Sequence, residues 1–459
     1  MLAGAAAPFL RGQGERFRPT WESLGGHGVP EWFQNAKLGI FIHWGLYSVP
    51  AWATPVGELG KVDPKRWFYE NPYAEWYLNT LRLTTSPTYK HHVETYGKEF
   101  DYYQFAAAFA EKTRAWDPAS WAKLFRSTGA RYVVLTTKHH DGFTLWPSAV
   151  SNPHAGGRTL QSRRDLVGDL TAAVRAAGLK MGLYYSGGLD WTFSAQPISN
   201  TQELHAQVPQ TEEYGRYVDA HWNELVQRYQ PSVLWNDISY PKTGHVPELF
   251  ASYYNRVADG VANNRFGVEF SDFTTPEYSN YAEITEKKWE SCRGLGYSFG
   301  YNQVEGPKQV IAPDQLVALL VDIVSKNGNL LLNIGPRADG SISQIQLDRL
   351  RKLGEWLAVG GEGIFDSRPW LRPSATHADG TDVRFTRKGD ILYVFYLKRP
   401  AGRSLRVPGV QAAVGTRIGL LGSTARCSLE QQGPDLMVEV EGAIPESCVP
   451  GIRLIPVPG

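Results

Sequence analysis

Polar side chains with acid–base or hydrogen-bonding chemistry recur in this sequence where short apolar runs end. In Pro231–Tyr240 (PSVLWNDISY) the apolar residues Val233, Leu234 and Trp235 give way abruptly to Asn236 and Asp237. His43 closes KLGIFIHW, His139 and His140 follow YVVLTTK, and Tyr184 and Tyr185 end LKMGLYY. Glu75, Glu277 (in SDFTTPEYS) and Glu290 (beside Trp289) add carboxylates. Two carboxylates with histidines and aromatic rings around them suit glycoside hydrolysis. One acid attacks or activates water, and the other protonates the leaving oxygen. Each residue also has a plainer reading. A strand-end Asp is often a turn or helix-cap residue. His139, His140 and Asp141 invite a metal, yet neighbours on a strand point to opposite faces and no His-x-His or HExxH spacing accompanies them.

These residues need a scaffold that brings strand ends to one rim. A short apolar run ending in a polar group reads as a buried parallel strand. Lys37–Trp44, Tyr132–Leu135, Leu179–Tyr185, Val233–Trp235, Arg265–Phe270 and Asn329–Ile334 are expected strands, with Trp289-Glu290 ending another. Helices are expected after Asp117-Pro118, after Asp165, over Glu213–Tyr229, over Glu248–Ala262, from Pro313 and over Gln344–Val359. Asp as N-cap with Pro at the first helical position signals the first of these. Alternation of strand and helix over roughly 300 residues predicts a (β/α)8-like TIM-type barrel. From about Ser367 the pattern turns to Val/Phe/Tyr-rich alternation, which predicts a C-terminal antiparallel β-sandwich. The expected division is a lead-in over 1–30, a catalytic barrel over 31–366 and the sandwich over 367–459.

Composition narrows the function. The chain's 47 Lys+Arg against 46 Asp+Glu leave no basic excess for nucleic acid. No apolar run reaches membrane-spanning length. No GxGxxG follows an early strand and no P-loop motif occurs, so a dinucleotide or P-loop nucleotide reading has no footing. Cys292, Cys427 and Cys448 show no zinc-ligand spacing, and a Cys427–Cys448 bridge is not arguable from sequence. The Ala-rich start, MLAGAAAPFLRGQ, reads either as the end of an export signal or as an Ala-rich leader. A periplasmic or secreted location is expected from the first reading and a cytoplasmic one from the second.

Longer motifs add a resemblance. AKLGIFIHWGLYSVPAW, EWYLNTL, YVVLTTKHHDGFTLWPS, RDLVGDL, GLKMGLYYSGGLDW, LWND, SFGYN, VSKNGNLLLNIGPRADG and GEWL resemble, in order, the motifs of the α-L-fucosidases of glycoside hydrolase family 29. The resemblance implies a retaining exo-glycosidase that removes terminal α-L-fucose from fucosylated glycans without a metal or cofactor. It implies that Asp237 is the nucleophile and that His43, Glu75, Trp76, His139, His140 and Tyr184 bind fucose hydroxyls. Trp235, Arg265, Phe41 and Phe299 fall on positions that resemble family pocket residues, and an apolar wall suits the C5 methyl of fucose. Glu277 is favoured as acid/base, with Glu290 as the alternative. A non-catalytic, lectin-like fucose-binding protein is the competing expectation, a metal-dependent hydrolase built on His139, His140 and Asp141 a further one. Oligomeric state, including a homo-oligomer, stays open at this point.

Overall fold

The computed structural model describes residues 16–458. The Ala-rich start therefore lies outside the described residues. Seven parallel strands form a curled sheet: β1 Leu38–Ile42, β2 Tyr132–Lys138, β3 Lys180–Tyr185, β4 Val233–Asn236, β5 Val261–Ala262, β6 Trp289–Gly294 and β7 Gly328–Ile334. Their order is β5-β4-β3-β2-β1-β7-β6. Ile40 pairs with Val133 on one side and Leu332 on the other. The strands are buried along nearly their whole length because helices cover their outer face.

The sequence signals for helices work as expected. Asp117 accepts a hydrogen bond from Ala119 N and Pro118 opens the helix Pro118–Ser127. Asp165 caps Leu166–Ala176 through Gly168 N, and Thr211 caps Glu212–Tyr229 through Tyr214 N.

Four expectations need correction. The sheet has seven strands, and among the described residues no regular eighth strand closes it. Instead, residues 272–278 cross the gap between β5 and β6 by isolated parallel bridges, Asn263 with Phe273, Thr274 with Trp289 and Glu277 with Cys292. The helix expected over Glu248–Ala262 spans Val246–Arg256, and Val261–Ala262 is β5. The Asp259-Gly260 pair breaks the helix as a turn signal would. Arg265–Phe270 is not a strand. Asn264–Phe266 is a 3₁₀ turn ending at Gly267, whose φ of 69° is left-handed. Asn263 and Asn264 side chains bond backbone groups of Asn236 and Thr275, offering the chain an alternative to a ladder. Finally, Trp289-Glu290 begins β6 rather than ending a strand.

The C-terminal part is antiparallel throughout. A five-stranded sheet (β8 Arg368–Thr376, β9 Asp382–Lys388, β10 Ile391–Tyr396, β12 Arg417–Leu420, β15 Gly451–Ile455) accompanies a three-stranded one (β11 Ser404–Val407, β13 Arg426–Gln432, β14 Asp435–Glu441). They share a second apolar core that includes Phe385, Val394, Leu405, Val438 and Leu454. All three cysteines are free. Cys427 sits on β13, whereas Cys448 lies in the loop before β15, in a cleft beside Pro313 and Asp314.

Candidate active site

Polarity of the strands decides where chemistry gathers. Parallel strands place all their C-terminal ends at one rim. His43 follows β1, His139 and His140 follow β2, Tyr184 lies near the end of β3, and Asp237 follows β4. These side chains meet at a cavity of about 320 Å³. Glu75 and Trp76 reach it from the 3₁₀ turn Ala74–Trp76, Arg265 from the turn after β5, and Glu277 from the bridging segment. Phe41, Trp235 and Phe299 supply apolar wall.

Asp237 lies at the centre of the polar contacts. Arg265 Nη1 donates to its Oδ1 at 2.8 Å and Tyr184 OH donates to its Oδ2 at 2.8 Å. Burial pushes the carboxyl up, but Arg265 and Tyr184 outweigh burial and hold it below the usual carboxylate range. Two non-glycine residues with positive φ follow it, Ile238 at 57° and Ser239 at 86°. Such backbone is costly for a β-branched residue and turns the chain sharply after the carboxylate.

Arg265 also holds Glu277. Its Nη2 donates to Glu277 Oε2 at 2.9 Å, and Tyr73 OH donates to Glu277 Oε1 at 2.8 Å. One guanidinium thus bridges two carboxylates. Arg265 Nε donates to Thr275 Oγ1, and its guanidinium carbon lies 4.7 Å over the Trp235 ring. A rigid planar fork meets this geometry, where a single ammonium would serve one carboxylate well.

His43 and His140 are neutral and present an acceptor to the cavity. His43 Nδ1 lies 2.7 Å from Asn333 Oδ1, while Asn333 Nδ2 donates to Phe299 O. The amide is therefore oriented, His43 Nδ1 carries the proton, and Nε2 is left as an acceptor. His140 repeats the arrangement. Ser186 Oγ donates to Leu189 O and so accepts from His140 Nδ1 at 2.6 Å. His140 Nε2 then faces Asp237 Oδ2 at 4.0 Å, acceptor to acceptor, so a hydroxyl placed there donates to one of the two. Burial pushes His43 down to about 4 and His140 to about 3, and lowers His139 well below its usual range. The rings of His139 and His140 are 3.9 Å apart, but Asp141 turns away to Tyr102 OH and Phe143 N. The three side chains do not converge as a ligand set.

Glu75 lines the cavity and also holds a neighbouring loop. Its Oε2 accepts from Gly300 N at 2.7 Å and Ser298 Oγ at 3.3 Å, which fixes the loop carrying Phe299. Burial pushes its carboxyl up to about 7. Trp76 stands edge-on to His140 at 5.5 Å.

Glu290 is elsewhere. It is fully buried near the start of β6, and it does not line the cavity. It accepts from Trp235 Nε1 at 2.9 Å and from Tyr132 OH. Gly39 lets the Tyr132 ring cross the barrel to reach it, since a Cβ there would meet that ring at 2.4 Å. Burial pushes Glu290 up to about 7, a perturbation with no path to substrate. Sequence reasoning missed Tyr73, Ser186, Thr275 and Asn333. Asn333 alone carried a usable signal, a polar residue near the end of the apolar run NLLLNI.

Comparison with known proteins shows the family. The family model for α-L-fucosidase matches residues 6–362. The chain belongs to the α-L-fucosidase family. It is 33% identical over 441 residues to the tissue α-L-fucosidase of Homo sapiens, covering 92% of this chain and 87% of that one. It is 31% identical over 459 residues to an α-L-fucosidase of Dictyostelium discoideum, covering 96% and 91%. Among solved structures, a Thermotoga maritima α-fucosidase in complex with fucose is 45% identical with a TM-score of 0.87, covering 96% of this chain and all of that one. The protein is a glycoside hydrolase, and these relatives favour fucosidase activity over a non-catalytic, lectin-like role. Among the described residues no helix is long and apolar enough to cross a membrane.

Proposed function

We propose that the protein is a retaining, exo-acting α-L-fucosidase with Asp237 as nucleophile and Glu277 as acid/base. The observation that carries this reading is the single Arg265 guanidinium held between the two carboxylates at 2.8 and 2.9 Å. Asp237 attacks the anomeric carbon while protonated Glu277 donates to the leaving oxygen. A covalent fucosyl-enzyme forms through an oxocarbenium-like transition state. Glu277, now ionised, takes a proton from water, and the hydroxide released onto the anomeric carbon frees fucose with retained configuration. His43 and His140 accept from sugar hydroxyls through Nε2, and Phe41 and Phe299 offer apolar surface to the C5 methyl. A similar Thermotoga maritima enzyme, 44% identical, has been captured with a mechanism-based inhibitor, which suits covalent chemistry in the fold.

The test is Asp237→Gly assayed on an aryl α-L-fucoside. Turnover should vanish while the fold and fucose binding persist. Wild-type turnover by this variant would refute the assignment.

A further inference from the structure

The solvent end of the cavity is built differently from its polar inner end. Leu59 and Val62 come from a loop, residues 54–63, that has no helix or strand of its own. Leu204 of the short helix Thr201–Ala206 also lines the cavity. A second cleft of about 530 Å³ is lined by the same loop, and Val62 borders both hollows. The loop is therefore a thin wall, and ionic contacts hold it. Glu58 Oε1 accepts from Arg293 Nη2 at 2.8 Å, with the two side chains only 15% and 12% exposed. Lys61 approaches the other oxygen at 2.5 Å. Arg293 leaves β6 toward the loop and packs its guanidinium carbon 5.2 Å over the Tyr278 ring. Tyr278 follows Glu277, has a positive φ of 47°, and donates to Gly296 O and Tyr297 O.

We propose that this loop, latched by Glu58 and Arg293, is the wall of the leaving-group subsite. Leu59 and Val62, with Leu204 completing the rim, hold the apolar face of the sugar or aryl group from which fucose is cut. The inference rests on the reading of Asp237 and Glu277 above, because the proton donor must face the leaving oxygen. The strut Arg293–Tyr278 sets wall and donor in one register. A partly buried ion pair makes an effective latch, because removing one partner leaves the other charge poorly solvated and the loop relaxes outward to hydrate it.

The test compares three substrates on Glu58→Gln and Arg293→Met: a fucosylated disaccharide, an aryl α-L-fucoside and α-L-fucosyl fluoride. Fluoride is a single atom and fills no leaving-group subsite. For the disaccharide and the aryl substrate, kcat/KM should fall about tenfold, chiefly through KM. For the fluoride it should stay within about twofold. Leu59→Gly, which keeps the latch, should reproduce the same split. The charge-reversed pair, Glu58→Arg with Arg293→Glu, should recover most of the loss. An equal loss on the fluoride, or no loss on the larger substrates, would overturn the proposal. Failure of the underlying reading has a separate signature, residual turnover by Asp237→Gly on all three substrates.

Discussion

Replacing Arg265 by Met removes a cation that both carboxylates share. The geometry permits a magnitude. Unit charges about 4 Å apart interact by about 4 kcal/mol at an effective dielectric of about 20. Arg265 and Asp237 are closer than that, at 2.8 Å, with side chains 18% and 11% exposed. Water in the vacated space takes back part of the interaction, so a net loss of about 3–4 kcal/mol is expected, or about 10²–10³ in kcat/KM. The loss has a direction in pH. Burial pushes Asp237 up, yet it is held below the usual carboxylate range, with Arg265 the largest of the lowering influences. Its ionisation therefore stabilises the fold above the unfolded carboxylate pKa, and that contribution is lost as pH falls through the lowered value. Without Arg265, burial dominates, Asp237 takes up a proton at higher pH, and the proposed nucleophile is lost first on the acid side. The assay is kcat/KM on an aryl α-L-fucoside across the acid and neutral range. The acid limb should move toward neutrality and the deficit should shrink as pH rises. Arg265→Lys should restore much of the pH profile but not full activity, since a point charge cannot bridge both carboxylates. A deficit constant across pH would refute the electrostatic account and leave Arg265 a spacer; no deficit would refute the bridging role altogether.

Azide should restore turnover of an activated substrate to Glu277→Ala and not to Glu290→Ala; rescue of the latter would contradict its burial beneath Trp235. Asn333→Leu removes the acceptor for His43 Nδ1 and should raise KM about tenfold with kcat little changed, whereas Asn333→Asp should keep most of the affinity. An unchanged KM for Asn333→Leu would show that the His43 tautomer is set otherwise. Lys138 Nζ and Asp190 Oδ2 form a fully buried pair at 2.9 Å just behind the histidines. Asp190→Ala should cost about 3–5 kcal/mol of stability in denaturant titration, and adding Lys138→Met should recover part of it. A milder effect of the single change than of the pair would count against a charge left unpaired.

The parts of the site that are legible in the sequence sit at the ends of buried parallel strands. His43, His139, His140, Tyr184 and Asp237 each follow or close an apolar run, and such runs announce themselves. Arg265 and Glu277 do not share that signal. They lie on residues 263–278, where Asn side chains, a left-handed glycine and isolated bridges replace a regular strand. Local pattern offers Glu277 only as one carboxylate among several and reads Arg265 as strand, and only resemblance to a family gives either a place in the pocket. Glu290 misleads for another reason. A carboxylate beside an apolar residue looks the same at either end of a strand, and only the pairing of Glu290 with Asn329, near the start of β7, puts it at the end away from the rim. The closure between β5 and β6 is illegible because the chain crosses that gap without the continuous pairing that makes a strand.

Arg265 also suits the two half-reactions proposed for this site. In the proposed mechanism Asp237 is ionised before attack and Glu277 carries the proton, so one negative charge faces the guanidinium. After attack, Asp237 is an ester and Glu277 is ionised, so again one negative charge faces it. The proton and the sugar move, but the charge around Arg265 is the same in both resting states. A fixed cation can then serve both steps without reorganising, which is where preorganised electrostatics is most effective. Tyr184 and Tyr73 complete the symmetry, one hydroxyl donating to each carboxylate at 2.8 Å. Removing either tyrosine should slow one half-reaction more than the other, Tyr184→Phe the attack by Asp237 and Tyr73→Phe the step that needs ionised Glu277. Pre-steady-state release of an aryl leaving group separates the two. The first variant should slow the burst. The second should leave the burst and slow the steady state, and loss of the burst in Tyr73→Phe would break the proposed division of labour.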